Sequence, residues 1–316
     1  MTDPRALWAV APNRAKIRPA SAGQGVRLRS LYSGISRGTE RLVLRGAVPV
    51  GEYTRMRAPH QEGDFPYPVK YGYCVVAEIA DGAQAGQPVF ALFPHQTWFC
   101  LPQDGYTPLP DTLPPARAVL AANMETALNI IWDSGLSAGD KVSVIGAGVL
   151  GALVGYLCAR HPGCEVTLCD IDPARATLAH ALGCDFAAPQ DLPQGQDVVI
   201  NTSASAKGLV QALDIAGMGA TVVEASWHGE DMVALPLGAA FHSQRLRLVS
   251  SQVGGLPPAR APRWGFRRRM DKALALLCDD RLDVLISGES AFDDLPDDYP
   301  RILNAPDTLC HRIRYD

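Results

Sequence analysis

A short apolar run, a glycine-spaced turn and a long apolar stretch constrain this chain more than any other feature. Residues 141–151 read Lys-Val-Ser-Val-Ile-Gly-Ala-Gly-Val-Leu-Gly, and Glu-Val-Thr-Leu-Cys-Asp follows at 165–170. Val142, Val144 and Ile145 predict a strand; Val149, Leu150, Leu153, Val154 and Leu157 predict an apolar helix after the turn. Val166 and Leu168 then predict a second strand with Asp170 at its tip. Gly146 lacks a Cβ and can turn the chain sharply. Gly148 lets phosphates approach the backbone, and Gly151 lets the helix pack against the strand. Phosphates would then sit at the helix N-terminus, beside Val149 and Leu150, where free N–H groups and the helix dipole favour negative charge. Asp170 lies about twenty residues beyond the glycines, the spacing of a carboxylate that hydrogen-bonds the adenosine ribose. The pattern predicts a dinucleotide site. The alternative is a glycine-rich turn in another α/β sheet, with Asp170 capping the turn before Pro173. A carboxylate at 170 repels the 2′-phosphate of NADP(H), which makes NAD(H) the expected cofactor. Arg175, five residues on, either flanks the adenine or caps the next helix.

The rest of the chain places this motif in a larger plan. Up to about residue 120 it is rich in Gly and Pro, with short alternating runs at 26–29, 75–79 and 88–92. Short strands between frequent breakers predict a small irregular β-barrel or sandwich. Pro108, Pro110, Pro114 and Pro115 mark a boundary before a helix at 116–132 and a turn at 137–140. Strands are then expected at 141–145, 165–169, 197–201, 219–225 and 246–251, with helices between them, including 173–182 and 207–216. That alternation predicts an α/β fold with a doubly wound parallel sheet. After Gly254-Gly255 the pattern gives a helix at about 265–278, a strand near 285–286 and a last strand at 310–315. This tail is too short for a domain and should fold back on the N-terminal part. The expected divisions are 1–122, 123–254 and 255–316.

Composition excludes several function classes. A net charge of −4 gives no reason to expect nucleic acid or an anionic membrane as partner. The basic run from Arg263 to Lys272 reads as a solvated helix face, or else as a site for an acidic substrate group. The eight cysteines show no CxxC pair, which argues against a disulfide framework and a cysteine-rich zinc knuckle. The start, Met-Thr-Asp-Pro-Arg, carries no apolar leader, and no run of about 18 apolar residues occurs. The cytoplasm is the expected location.

A β-rich first part, a nucleotide-binding middle and a short returning tail together resemble the medium-chain dehydrogenase/reductase superfamily. Ser33-Gly34-Ile35-Ser36-Arg37-Gly38-Thr39-Glu40 is similar to the segment carrying Gly-Ile-Cys-Gly-(Thr/Ser)-Asp in the zinc alcohol dehydrogenases. Phe65-Pro66 through Gly72-Tyr73-Cys74 to Ile79 is similar to the stretch carrying Pro-x-x-x-Gly-His-Glu, and 135–140 to the turn before the first Rossmann strand. The resemblance implies a Rossmann domain plus a GroES-like β-barrel domain completed by the C-terminal tail. Within the superfamily the Gly-Ile-Ser-x-Gly-Thr-Glu segment is most similar to the bacteriochlorophyllide dehydrogenase type. The motifs are too short to carry the chlorin substrate across.

The departures bear on chemistry. The metal-binding Cys position of the zinc members holds Ser36, or Arg37 if the insertion is placed differently; the His position holds Tyr73; the third falls near Ala122 or Asn123. None supplies the thiolate and imidazole set that Zn²⁺ requires. Only Cys100 lies in the structural-zinc region, and Cys74 stands where the family has Glu. No zinc is expected. The proton must then be handled otherwise. Tyr73 is the first candidate, since a phenol can donate to an oxyanion, and Tyr71 competes with it. Ser36 and Thr39 are nearby hydroxyls. Thr39 resembles the family's proton-relaying hydroxyl, with a turn or helix cap before Glu40 as the alternative. Arg37, and less securely Arg312, resemble arginines that meet the cofactor pyrophosphate. Thr202 and Ser226 end two Rossmann strands where backbone meets the nicotinamide end; Trp227 could wall a pocket and His228 could act as acid/base.

These residues point to a zinc-independent, NAD(H)-dependent oxidoreductase acting on a small carbonyl/alcohol pair or a conjugated double bond. Two alternatives are an NADPH-dependent quinone or enone reductase and a dinucleotide-binding redox sensor or scaffold with little turnover. A homodimer through the edge strand at 246–251 is the expected assembly.

Overall fold

The computed structural model describes residues 3–316; Met1 and Thr2, on which the leader reading partly rests, lie outside the described residues. The chain divides into two compact units. One comprises the chain up to Ala122 together with Met270–Asp316, and the other is Asn123–Arg269.

The second unit holds a six-stranded parallel sheet. Its order is Asp185–Ala187, Glu165–Cys169, Lys141–Ile145, Gln196–Asn201, Ala216–Glu224, Arg247–Ser250. The chain starts at Lys141–Ile145, winds outward to one side, then crosses to Gln196–Asn201 and winds outward to the other. This is the doubly wound arrangement, with its switch point between Lys141–Ile145 and Gln196–Asn201. All five expected strands are present. Asp185–Ala187, too short and polar to signal itself, is an addition. The helix Val149–Cys158 is buried from Gly151 onward, which explains why its apolar residues run all round rather than along one stripe. Val199, Val222, Leu209 and Leu213 pack in the core on one side of the sheet.

The other unit is β-rich. A seven-stranded sheet is built around Val26–Ile35, which pairs with Val75–Ile79 and Trp98–Leu101 and also with Cys310–Arg314 from the tail. A four-stranded sheet carries Arg5–Ala11 at its centre. Leu28, Val75, Ala77, Val89, Phe93 and Phe99 form the core, with the Phe93 and Phe99 rings stacked at 3.8 Å. The returning tail is therefore a structural strand of this unit.

Three details differ from the sequence reading. The helix expected at 116–132 is two helices, Pro115–Ala118 and Ala121–Ser134. Residues 255–269, grouped with the tail, belong to the dinucleotide unit: buried Arg269 bonds Glu125, Asn129 and the carbonyls of Val253 and Gly255. Helices Arg37–Arg45 and Leu295–Asn304 were not anticipated. The second carries Pro near its start and Pro300 inside it, so its sequence reads as a breaker.

Candidate active site

In the dinucleotide unit, Gly146 has φ +101°, a conformation that L side chains rarely adopt, and its N–H donates to the Cys169 carbonyl at 2.8 Å. A β-carbon on Gly151 would lie 1.8 Å from the Gly146 oxygen and 2.6 Å from Thr202 Oγ1. The close approach that requires glycine there is to the turn itself, not to the strand. At Gly148 the situation is reversed: a β-carbon would meet no protein atom within 4 Å. Gly148 is also the N-cap of Val149–Cys158, and no side chain caps that helix. Its first-turn N–H groups are left for an anion, beside a backbone that only a ligand would crowd. The loop fits the pyrophosphate of a dinucleotide.

Asp170 sits at the end of the neighbouring strand. Its Oδ2 accepts from Ala147 N–H at 2.8 Å and its Oδ1 from Asp172 N–H at 3.0 Å. The carboxylate thus braces the turn and keeps lone pairs for a ribose hydroxyl. Ile171 beside it is 88% exposed, an apolar surface at the adenosine end that the sequence reading did not single out. Arg175 lies 3.8 Å from Asp172, in the first turn of Arg175–Ala181.

At the far strands the hydroxyls are used within the protein. Thr202 Oγ1 lies 2.9 Å from the Gly146 carbonyl, and Ser226 Oγ accepts from Ala204 N–H at 2.9 Å. Glu224, not flagged from sequence, organises this edge. Its carboxylate accepts from Asn201 Nδ2 at 2.6 Å and from Ser226 N–H at 2.7 Å, and His228 Nε2 lies 3.5 Å away.

In the β-rich unit, Tyr73, Ser36 and Thr39 come together: both side-chain hydroxyls lie near enough to the Tyr73 phenol to favour its ionised form. Burial, and then the negative charge of Glu40, push the Tyr73 phenol up to about 12, against the weaker pull of those two hydroxyls. Tyr71 meets the Tyr73 ring edge-on at 6.1 Å and is itself buried. Thr39 lies inside the helix Arg37–Arg45, whose N-cap is Ser36, so it is neither the cap nor a turn residue. Arg37 Nε donates to the Leu303 carbonyl at 3.3 Å, and Arg312 pairs with Glu289 at 2.6 Å. Cys74 Sγ donates to the Val119 carbonyl, and burial pushes its thiol up to about 12.

Behind Tyr73 lies a network that local sequence did not reveal. Glu40 and His95 are both fully buried, with His95 Nε2 at 3.1 Å from Glu40 Oε2. Tyr299 O–H donates to the same oxygen at 2.6 Å, and Ser36 N–H donates to Oε1 at 2.7 Å. His95 Nδ1 lies 2.8 Å from Ser33 Oγ, itself 2.9 Å from the Tyr315 hydroxyl. The only cue was a polar His95-Gln96 pair set in the otherwise apolar run 90–101.

The positions that the resemblance gives to catalytic zinc ligands hold other side chains. Ser36, Tyr73 and Ala122 offer a hydroxyl, a phenol and a methyl. Among the described residues no three His, Cys, Asp or Glu side chains form a group that could hold a metal ion. The residues present do not fit zinc.

The known proteins that this chain is similar to are dehydrogenases. The family described as 3-hydroxyacyl-CoA dehydrogenase, NAD binding domain, matches residues 141–187. D-guloside 3-dehydrogenase of Escherichia coli (strain K12) is 26% identical over 191 residues, 54% of this chain and 54% of that protein. The chain thus spans about half the length of this curated relative. L-idonate 5-dehydrogenase from Escherichia coli superposes with a TM-score of 0.78 at 14% identity, covering 99% of this chain and 98% of that one. Staphylococcal (S. aureus) TarJ, solved with NADPH, gives a TM-score of 0.76 at 15% identity and 99% coverage of both chains. The likeness to these solved structures shows the fold: a Rossmann unit and a β-rich unit, as the resemblance to the medium-chain dehydrogenase/reductase superfamily implies. The match at 141–187 lies within the Rossmann unit. Among the described residues no helix is long and apolar enough to cross a membrane.

Proposed function

We propose that this protein is a zinc-independent oxidoreductase that transfers hydride between NAD(H) and a small carbonyl/alcohol or conjugated substrate. The reading is carried by one observation: Tyr73, with the Ser36 and Thr39 hydroxyls near its phenol, occupies the position that the resemblance gives to a metal ligand. When bound, nicotinamide supplies the hydride acceptor or donor. The chain's own residues bind and orient it: the open backbone at Gly148 and the uncapped helix face the pyrophosphate, and Asp170 faces the adenosine ribose. Tyr73 stays protonated through neutral pH and donates a hydrogen bond, and then its proton, to the substrate oxygen as charge develops there. Ser36 and Thr39 orient its O–H and share the proton.

Preference for NAD(H) over NADP(H) rests on Asp170, whose charge opposes a 2′-phosphate, and on Arg175 being drawn toward Asp172. Small molecules remain the proposed partners, with the unpaired edge of Arg247–Ser250 as the surface for a homodimer and the cytoplasm as the location. The test is single-turnover oxidation of bound NADH against aldehydes, quinones and enones, with metal analysis of the same sample. Turnover in zinc-free protein, lost in Tyr73→Phe, is the expected result. Turnover only after zinc is added overturns the zinc-independent reading. No oxidation with any compound favours a binding protein instead.

A further inference from the structure

Glu40 is a carboxylate with no exposure to solvent. The titratable groups that face it are His95, Tyr71, Tyr73, Tyr299, Tyr315 and the thiols of Cys74 and Cys310. Of these only His95 can carry a positive charge. A buried carboxylate persists only if its oxygens are hydrogen-bonded. Here two donors converge on it, Ser36 N–H at 2.7 Å and Tyr299 O–H at 2.6 Å, and His95 Nε2 lies 3.1 Å from the oxygen that Tyr299 bonds.

The directions of these bonds propagate. If Nε2 of His95 donates to Glu40, Nδ1 of the neutral ring accepts from the Ser33 hydroxyl, and Ser33 accepts from Tyr315. Ser33, His95 and Glu40 have the connectivity of a Ser-His-acid triad, yet Ser33 is fully buried on a strand paired with Ile313. No substrate reaches it, so the chain of bonds serves as support rather than as a nucleophile.

The support is aimed at Tyr73. Glu40 accepts from the backbone N–H of Ser36, the N-cap, and follows Thr39 in the helix, and those two residues carry the hydroxyls that lie near the Tyr73 phenol. We propose that Glu40, oriented by His95 and Tyr299, is a positioning residue that keeps the Ser36–Tyr73–Thr39 cluster in its proton-donating state. The clamp fixes where the hydroxyls point, and the charge of Glu40 opposes phenolate formation. This rests on the oxidoreductase reading for its purpose, while its test does not depend on turnover.

Two measurements decide it. In protein carrying ¹³Cζ-tyrosine, with the Tyr73 signal assigned from Tyr73→Phe, the phenolate fraction is compared at a fixed alkaline pH near 10.5 in parent and Glu40→Gln. Removing the charge is expected to raise that fraction roughly tenfold, as a shift of about one pKa unit requires, and to move the alkaline limb of kcat/KM the same way. An unchanged Tyr73 signal in folded Glu40→Gln overturns the proposal, since a merely structural role would alter stability alone. Should that variant not fold, ¹⁵N-histidine spectra of the parent at neutral pH carry the test. A neutral His95 protonated at Nε2 is expected. An Nδ1-protonated ring removes the donor to Glu40, and a doubly protonated ring neutralises its charge; either result overturns the proposal. Absence of turnover with every substrate would fail the oxidoreductase reading and leave both spectra interpretable.

Discussion

Gly151 stands so close to Gly146 that a β-carbon on it would lie 1.8 Å from the Gly146 carbonyl oxygen. Gly148, between them, faces no protein atom within 4 Å. The two glycines are therefore required by different things, and the difference can be measured. Gly151→Ala should displace the turn, lowering thermal stability and NADH binding together. Gly148→Ala should lower the melting temperature only slightly, because it meets no protein atom and costs at most about 1 kcal/mol as a poorer N-cap. NADH binding should nevertheless weaken at least about tenfold, as the methyl occupies space meant for phosphate. Calorimetric binding and melting of both variants check this. Equal losses of stability in the two would contradict it.

Asp170 has two duties, one to the turn through Ala147 N–H and one to the proposed ribose. Asp170→Asn keeps an acceptor for Ala147 but removes the charge. It should weaken NADH binding modestly and narrow the preference over NADPH, by about tenfold for the loss of one charge-assisted bond. Asp170→Ala removes both and should lower stability as well. Paired titrations with NADH and NADPH read the outcome; an unchanged preference in both variants would sink the assignment.

The tyrosines set a limit at high pH. Tyr71, Tyr73, Tyr299 and Tyr315 are all held above the ordinary phenol value, with burial the first cause in each. A group whose folded value is raised contributes stability that is complete below its unfolded value, about 10. That stability is lost as pH rises through the folded value, about 12 for Tyr73. Urea midpoints should be insensitive to these groups below pH 10 and fall steeply above it. Tyr299→Phe, which removes one of the four, should make the fall shallower.

Arg269 joins buried Glu125 at 3.0 Å and also bonds Asn129. Burial pushes the Glu125 carboxyl up, and Arg269 holds it back. Arg269→Met should cost roughly 3–5 kcal/mol, because it strands a buried carboxylate. Adding Glu125→Leu should recover a large part of that loss. A double-mutant cycle by urea unfolding measures the coupling, and additive losses would contradict it.

The fold was legible where sequence neighbours decide structure. Val142 to Asp170 announced strand, turn, helix and strand because each period is local, and the parallel alternation beyond it followed in the same way. The polar network was not legible, because its members are far apart in the chain. Glu40 meets His95 across 55 positions and Tyr299 across 259. No local pattern marks such partners. Leu295–Asn304 was hidden by its two prolines, which tertiary packing of Leu295, Tyr299, Ile302 and Leu303 overrides. Tyr73, Ser36 and Thr39 are marked in sequence only by resemblance to a metal site, and their nearness to one another is a property of the fold.

The pairing of Cys310–Arg314 with Val26–Ile35 has a consequence for how the protein is made. Every strand of the dinucleotide unit lies between Lys141 and Ser250, so that sheet can close while the tail is still being synthesised. The β-rich unit has no such freedom. Until the tail arrives, Val26–Ile35 lacks a neighbour on one side, and Glu40 lacks the Tyr299 hydroxyl. An unpaired strand edge and a half-solvated carboxylate are features that a newborn chain must shield. The sheet that neighbours Tyr73 is completed only after every strand of the dinucleotide unit has been made.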